Sequence, residues 1–204
     1  VWKALGVGPV KLEMNTLGAQ EERQKHREAL IAYFEAHKDQ LDEDALRRLY
    51  TNPLRILDTK NPDMQGLVDA APKLLDYLGE ESRAFLSRLE ELVSSAGIEY
   101  SINPRLVRGL DYYNHTVFEW ITDKLGAQGT ICGGGRYDPL VEMLGGRPAP
   151  GVGFAMGMER VIELMREVGQ VPKASQTDVY VLHHGGESQL SLIHISEPTR
   201  LDVI

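Results

Sequence analysis

Hydrophobic positions change their spacing several times along this 204-residue chain, and the changes divide it into segments. Near the start, Val10, Leu12 and Met14 alternate with other residues at the period of two of a half-buried strand, and Gly18 ends the run. From 21 to about 96 the spacing becomes helical. Ala29, Leu30, Tyr33 and Phe34 make one stripe, and Leu41, Ala45, Leu46 and Leu49 make a second. Pro53, Pro62 and Pro72 break the middle of this region into short pieces, because proline has no N–H to donate and its ring clashes with the preceding turn. Phe85, Leu86, Leu89, Leu92, Val93 and Ala96 form the cleanest stripe of all, with Gly97 placed to cap the helix at its C-terminus.

Strand spacing then returns. Ile98, Tyr100 and Ile102 alternate, 116–121 continues the pattern, and a glycine-containing turn near Gly126 leads into a strand around 130–132. The connections are too short for parallel crossovers, so an antiparallel meander is expected. A helix is predicted over 137–144 and a short strand over 152–154. A helical stripe of Met158, Val161, Ile162, Met165 and Val168 follows. Residues 171–177, with Pro172 and Ser175, read as a linker, and 178–182 as a short apolar strand. The sum is an α+β protein, an antiparallel sheet flanked by helices and interrupted by a helical insertion.

Composition narrows the functional classes only slightly. The chain is 42% hydrophobic and 25% charged, as a globular protein is, and no run reaches the length needed to span a bilayer. Its net charge of −8 gives no support to binding nucleic acid through bulk charge, although a local basic face can sit on an acidic protein. Cys132 is the only cysteine, which excludes an intrachain disulfide and a cysteine-cluster metal site, and fits a reducing cytoplasm. His183 and His184 lack carboxylate partners at ligand spacing, so no protein-bound metal is assigned.

The chemistry is concentrated in three segments. The first, VRGLDYYNHTVFEW at 107–120, places Arg108, a planar fork of donors suited to phosphate or carboxylate, ahead of Tyr112 and Tyr113. Arg108 alone could equally be paired with Asp111. At the entry to a strand the two tyrosines should point to opposite faces. The second, GTICGGGRYDPLVEMLGG at 129–146, has three consecutive glycines that permit close backbone approach and positive φ angles, but lacks the spacing of a nucleotide-binding P-loop. The third, PGVGFAMGMERVIELM at 150–165, carries Arg160 at a helix start, where a surface pair with Glu159 or Glu163 is the simple alternative.

Taken together, these segments resemble the histidyl-tRNA synthetase family of class II aminoacyl-tRNA synthetases. RGLDYY at 108–113 is similar to the first histidine-specific motif of that family, GGGRYD at 133–138 to the second, and GVGFAMGMER at 151–160 to class II motif 3. The resemblance implies a catalytic-core strand segment at 1–18, the helical insertion at 19–97, the core with its motifs at 98–170, a linker at 171–177 and the start of an anticodon-binding domain at 178–189. It places motifs 1 and 2 before Val1, so the chain reads as an internal fragment, expected to be inactive alone. LSLIHISEPTR at 190–200 resembles a translated sequencing adapter, which makes 190–204 an expected artefact tail.

The implied activity is ATP-dependent activation of histidine to histidyl-adenylate and its transfer to tRNA(His), by a cytoplasmic homodimer, with Mg2+ arriving on ATP. Arg108 is then the catalytic residue at the α-phosphate and the histidine carboxylate. Tyr112, Tyr113, Gly133, Gly134 and Tyr137 line the histidine pocket, while Gly157 and Arg160 join Arg108 in binding ATP. The alternative within the same resemblance is the synthetase-like regulatory subunit of ATP phosphoribosyltransferase. Intact RGLDYY, the insertion and the strand at 178 favour the enzyme.

Overall fold

The computed structural model describes residues 1–109 and 112–170, apart from the side chains of 127 and 128. The linker at 171–177, the strand at 178–182 and the adapter-like tail fall outside the described residues. In chain order the elements are α1 (Trp2–Leu5), β1 (Lys11–Thr16), α2 (Gln20–Ala36), α3 (Glu43–Arg48), α4 (Gln65–Asp69), α5 (Glu80–Ser95), β2 (Tyr100–Ile102), β3 (Asn114–Ile121), β4 (Thr130–Arg136), α6 (Pro139–Met143), β5 (Val152–Met156) and α7 (Met158–Glu167).

The five strands form one sheet in the order β2-β1-β3-β4-β5. β3, β4 and β5 make the expected antiparallel meander, and β1 pairs antiparallel with β3 from Lys11↔Ile121 to Thr16↔Thr116. β2 departs from the expectation. It does not continue into a hairpin with β3 but lies parallel to β1, with Leu12 opposite Tyr100. The short connections that argued for antiparallel pairing are not the ones that join these two strands. The whole helical insertion separates them, and it is long enough to serve as a parallel crossover.

The insertion has its own core, in which Leu30, Phe34, Leu49, Ile56 and Met64 are almost completely buried. The two predicted stripes therefore do what their spacing implies, except that Leu46 turns outward. Pro53 and Pro62 start short 3-10 turns, as residues whose missing N–H costs nothing at a first turn. Glu22 ties the insertion together at one end. Its carboxylate accepts from the backbone N–H of Ala19 at 2.7 Å, closing the start of α2, and from that of Gly79 at 2.7 Å, just before α5.

α5 carries the cleanest apolar stripe yet buries least of it. Phe85 is 37% exposed and Leu92 53%. With Leu89 and Val93 the helix faces Leu12, Met14, Phe118 and Trp120 of the sheet across an open apolar groove of about 560 Å3. Periodicity established that α5 is amphipathic, but not how closely its partner surface would approach. At the other end of the sheet, Val161 and Leu164 of α7 pack with Val7 and Ile131, and Trp2 of α1 meets Trp120 edge-on at 5.9 Å. The four-residue helix α1 is too short to show a periodicity and was not expected.

His26 is buried inside this framework, its Nε2 donating to the Pro72 carbonyl at 2.7 Å and its ring lying against Tyr77. Burial holds its pKa below the ordinary histidine value, although the Pro72 carbonyl and the Asp76 charge oppose the shift. An unfolded chain therefore binds a proton that the folded chain resists, and the stability this withholds is lost as pH falls through about 6.5. The thermal midpoint is expected to drop between pH 7.5 and 5.5, and His26→Gln, which keeps a donor without the titration, should flatten the profile. Circular dichroism melts check this; equal slopes for both proteins would remove His26 from the account.

Candidate active site

Side-chain alternation gives the sheet two unlike faces. Leu12, Met14, Thr116, Phe118, Trp120 and Arg136 line the apolar groove. Asn15, Val117, Glu119, Gly133 and Gly135 take the opposite phase, and there the polar chemistry gathers. Glu13 sits directly across from Glu119, and Glu119 across from Gly133. Two carboxylates opposed on neighbouring strands repel one another unless other groups answer them. Asn103 Nδ2 donates to Glu13 at 2.6 Å, while Arg108 Nη1 donates to Glu119 Oε1 at 3.0 Å and Thr130 Oγ1 to Glu119 Oε2 at 2.8 Å.

Arg108 is thus held by Glu119, and its Nη2 donates to the Phe118 carbonyl at 3.1 Å. Asp111, the partner that sequence proximity suggested, is outside the described residues. The guanidinium carbon of Arg108 also lies 5.8 Å from the centre of the Tyr113 ring. Its Nε is buried with no hydrogen-bond partner among the described residues. A buried charged donor left unpaired is costly, and an anionic ligand would satisfy it.

β4 explains the glycine run. Gly133, Gly134 and Gly135 are strand residues, not a turn before a helix, and none has a positive φ. What matters is the missing side chain. A β-carbon at Gly133 would collide with Arg108 Nη2, and one at Gly135 would meet the Thr116 carbonyl of β3 at 2.5 Å and the Tyr113 ring at 3.0 Å. Gly134 takes the other phase, where a β-carbon would strike the backbone of β5 at Gly153 and Phe154. Gly134 thus lies against the β5 backbone, while Gly135, which was not among the expected pocket residues, lies beside Tyr113.

Tyr112 and Tyr113 do not diverge. β3 begins only at Asn114, so the alternation rule does not reach them, and their rings lie 4.7 Å apart. Tyr137 meets each of them edge-on at 6.0 Å, completing a three-sided aromatic group. Tyr113 is held from behind by Arg23, which donates to its carbonyl. Burial pushes the Tyr113 phenol pKa up, the neighbouring Tyr112 hydroxyl adds to the rise, and Arg108 partly opposes it. The phenol is accordingly protonated at neutral pH and free to donate or accept.

Tyr137 is positioned by its neighbours. Arg136 turns to the other face, where its Nε pairs with Asp138 and its guanidinium covers Phe85. Asp138 also accepts from Asn114 Nδ2 at 3.1 Å and from the Gly151 N–H at 2.9 Å. Burial alone would raise the Asp138 pKa, but these donors outweigh it and hold the carboxyl below its usual range. β-carbons at Gly151 or Gly153 would collide with the Tyr137 ring. His115 is half-buried against Phe85 with a φ of +46°. Its backbone lies between Asn114 and Val117, where the β3–β4 register shifts.

Arg160 is in the first turn of α7, exposed, with Nη1 donating to the Thr130 carbonyl at 2.6 Å. It pairs with neither Glu159 nor Glu163. Gly157, the residue before α7, allows the stem of Arg160 to pass within 3.3–3.5 Å of where a β-carbon would be. Arg108 and Arg160 are therefore joined through Glu119 and Thr130. A polar cleft of about 500 Å3 opens beside them, lined by Glu119, Thr130, Asn103, Arg105 and Lys60. The larger apolar groove behind the sheet is lined by neither Arg108, Glu119 and Arg160 nor the three tyrosines. Glu119 was missed in the sequence, although an acid in phase with buried Val117 was the available signal.

Comparison with known proteins adds an independent line. A family profile described as histidyl-tRNA synthetase matches residues 7–161. Proteins named histidine–tRNA ligase from Ralstonia nicotianae and Bordetella parapertussis are 58% and 57% identical over 207 aligned positions, covering all of this chain. The chain spans 48% of the length of each, about half. The apo Staphylococcus aureus histidyl-tRNA synthetase superposes with a TM-score of 0.65 at 33% identity, over 95% of this chain and 48% of that one.

Gly133→Ala is expected to expel Arg108 from its place over β4 and break its contact with Glu119, at a cost of about 2–4 kcal/mol for this largely enclosed pair. Gly66→Ala, where a β-carbon meets nothing within 4 Å in a helix, should be neutral or stabilising. Urea unfolding of both variants separates the two; similar midpoints would mean that the close approach at Gly133 carries no energy.

Proposed function

This chain belongs to the histidyl-tRNA synthetase family, and we propose that it supplies the histidine-recognising and phosphate-binding half of a histidine–tRNA ligase. In the reaction proposed for the complete protein, a carboxylate oxygen of histidine attacks the α-phosphorus of ATP. The bond to the bridging oxygen breaks and pyrophosphate leaves. A ribose hydroxyl of the terminal adenosine of tRNA(His) then attacks the carbonyl carbon of the adenylate, the acyl–phosphate bond breaks, and AMP leaves as the ester forms and the hydroxyl proton is lost. Charge accumulates on the α-phosphate during the first step, so the protein's task is to hold the reactants together and place a cation there.

One observation carries this reading. Arg108 is fixed by Glu119 across a strand that lacks a side chain at Gly133, its Nε has no hydrogen-bond partner among the described residues, and its guanidinium borders Tyr113, which clusters with Tyr112 and Tyr137. The fixed guanidinium is the group for the carboxylate and α-phosphate. Tyr112, Tyr113 and Tyr137 offer flat walls and hydroxyls to a neutral imidazole, which needs one donor and one acceptor. Gly133 leaves room for the Arg108 guanidinium and Gly135 for the Tyr113 ring on that side of the pocket. Arg160 and Gly157 serve ATP, with Arg160 reaching the nucleotide from the start of α7. Mg2+ comes with ATP, whose phosphates provide most of its oxygen ligands. The longer protein is proposed to be a cytoplasmic homodimer that takes tRNA(His). The regulatory-subunit reading is not favoured, given 57–58% identity to histidine–tRNA ligases over the whole chain.

In the complete synthetase that contains this sequence, Arg108→Ala should lower histidine-dependent ATP–pyrophosphate exchange by at least about a hundredfold, a loss of the size seen on removing a transition-state donor. Near-normal exchange would reject the assignment. Arg160→Ala should raise the KM for ATP about tenfold or more while changing that for histidine by less than about twofold, as loss of a contact made only to one substrate does. Equal changes in the two constants would place Arg160 elsewhere.

A further inference from the structure

The segment that delivers Arg108 to the sheet belongs as much to the insertion as to the catalytic core. Residues 103–108 form neither helix nor strand; the Leu106 N–H closes a turn on the Asn103 carbonyl at 3.0 Å, and side chains hold the rest of their course. On the core side, the 98%-buried Asn15 of β1 donates from Nδ2 to the Leu106 carbonyl at 2.9 Å and to the Pro104 carbonyl at 3.3 Å. On the insertion side, Val107 is buried in the insertion's own apolar cluster with Ile56 and Leu57.

Arg105 closes this arrangement. Its Nε donates to the Leu57 carbonyl at 3.0 Å and Nη2 to the Thr59 carbonyl at 3.2 Å. Nη1 reaches both Gln65 Oε1 at 2.8 Å and Asp69 Oδ1 at 3.1 Å. All four acceptors lie in the insertion, between α3 and the end of α4, and the arginine side chain is only 28% exposed. Gln65 also binds the Thr59 carbonyl, at 3.2 Å, so the acceptors are themselves held together. This fork geometry suits arginine. A lysine has one nitrogen and could not span carbonyls on both edges.

We propose that Arg105 is a positioning residue for Arg108, and that through it the helical insertion sets the geometry of histidine activation. The inference rests on the function proposed above for Arg108 and extends it to a residue three positions earlier. With Asn15 on one side and Arg105 on the other, the backbone from 104 to 107 is fixed at both edges. The Arg108 side chain leaves that backbone already aimed across Gly133. A change in the insertion's 57–69 segment is thereby felt at the catalytic guanidinium.

A double-mutant cycle in the complete synthetase tests this. Single-turnover adenylate formation is followed for wild type, Arg105→Ala, Arg108→Ala and the double variant, with Arg105→Lys alongside. In the otherwise wild-type enzyme, Arg105→Ala should lower the rate at saturating substrates at least tenfold, with the KM for ATP changed less than twofold, and Arg105→Lys should recover little of it. In the Arg108→Ala background the same change should alter the residual rate less than twofold. Equal losses in both backgrounds, or no loss in the first, would overturn the proposal. In parallel, hydrogen exchange on the 204-residue chain should be faster in Arg105→Ala at the Leu106 amide, which the Asn103 carbonyl holds at 3.0 Å, and unchanged in α2. Unchanged exchange at Leu106 would overturn the proposal, while loss of protection in α2 would show general unfolding and reject a specific positioning role. A wild-type synthetase without histidine-dependent adenylate formation would instead reject the underlying function, leaving the exchange measurement to judge the clamp.

Discussion

Arg108 can lie against Glu119 because residue 133, directly across from Glu119 on the next strand, has no side chain. That steric allowance controls the electrostatics of the whole face. Without the guanidinium, Glu119 would oppose Glu13 across two neighbouring strands with only Thr130 to satisfy it. With it, the carboxylate becomes a fixed acceptor for Arg108 and the Thr130 hydroxyl, while the Thr130 carbonyl receives Arg160. The same guanidinium borders the Tyr113 ring, so the aromatic group and the charged group share one support. A close-packed interior has no slack to absorb a methyl group there. The three glycines in β4 thus have different neighbours: Arg108 at Gly133, the β5 backbone at Gly134, and the Thr116 carbonyl with the Tyr113 ring at Gly135.

The insertion enters this account as a structural component of the site. It forms the crossover that lets β2 run parallel to β1, and its core receives Val107. Glu22 fastens its first and last helices together with two short backbone contacts. The loop that ends at Arg108 is consequently bounded by two well-packed bodies. A loop placed in this way loses its freedom during folding, so less remains to be lost when a ligand binds.

How much of this was legible in the sequence depended on the range of the interaction. Strands and helices with clear periods were found close to their true positions, as at Leu12 and Met14 or Leu30 and Phe34. RGLDYY and GGGRYD were recognised as the chemical segments. What failed was each inference that extended a local rule past its element. Strand alternation was applied to Tyr112 and Tyr113, which precede β3, and the turn chemistry of glycine was applied to residues inside β4. The apolar stripe of α5 was real, but its spacing carried no information about the distance to the sheet, and much of it borders an open groove.

By itself the sequence determined the alternation of periods, the residue types available for an anion and an aromatic ligand, and their order along the chain, because these are properties of neighbours within a few residues. Tertiary structure alone decided that Glu119, eleven residues along the chain, answers Arg108, that Gly135 rather than Gly134 borders Tyr113, and that Arg105 places its donors on a segment about forty residues away. Each of those is a matter of which strand lies beside which and in what register. Chain sequence constrains that only through the sum of many long-range contacts, so no single motif could announce it.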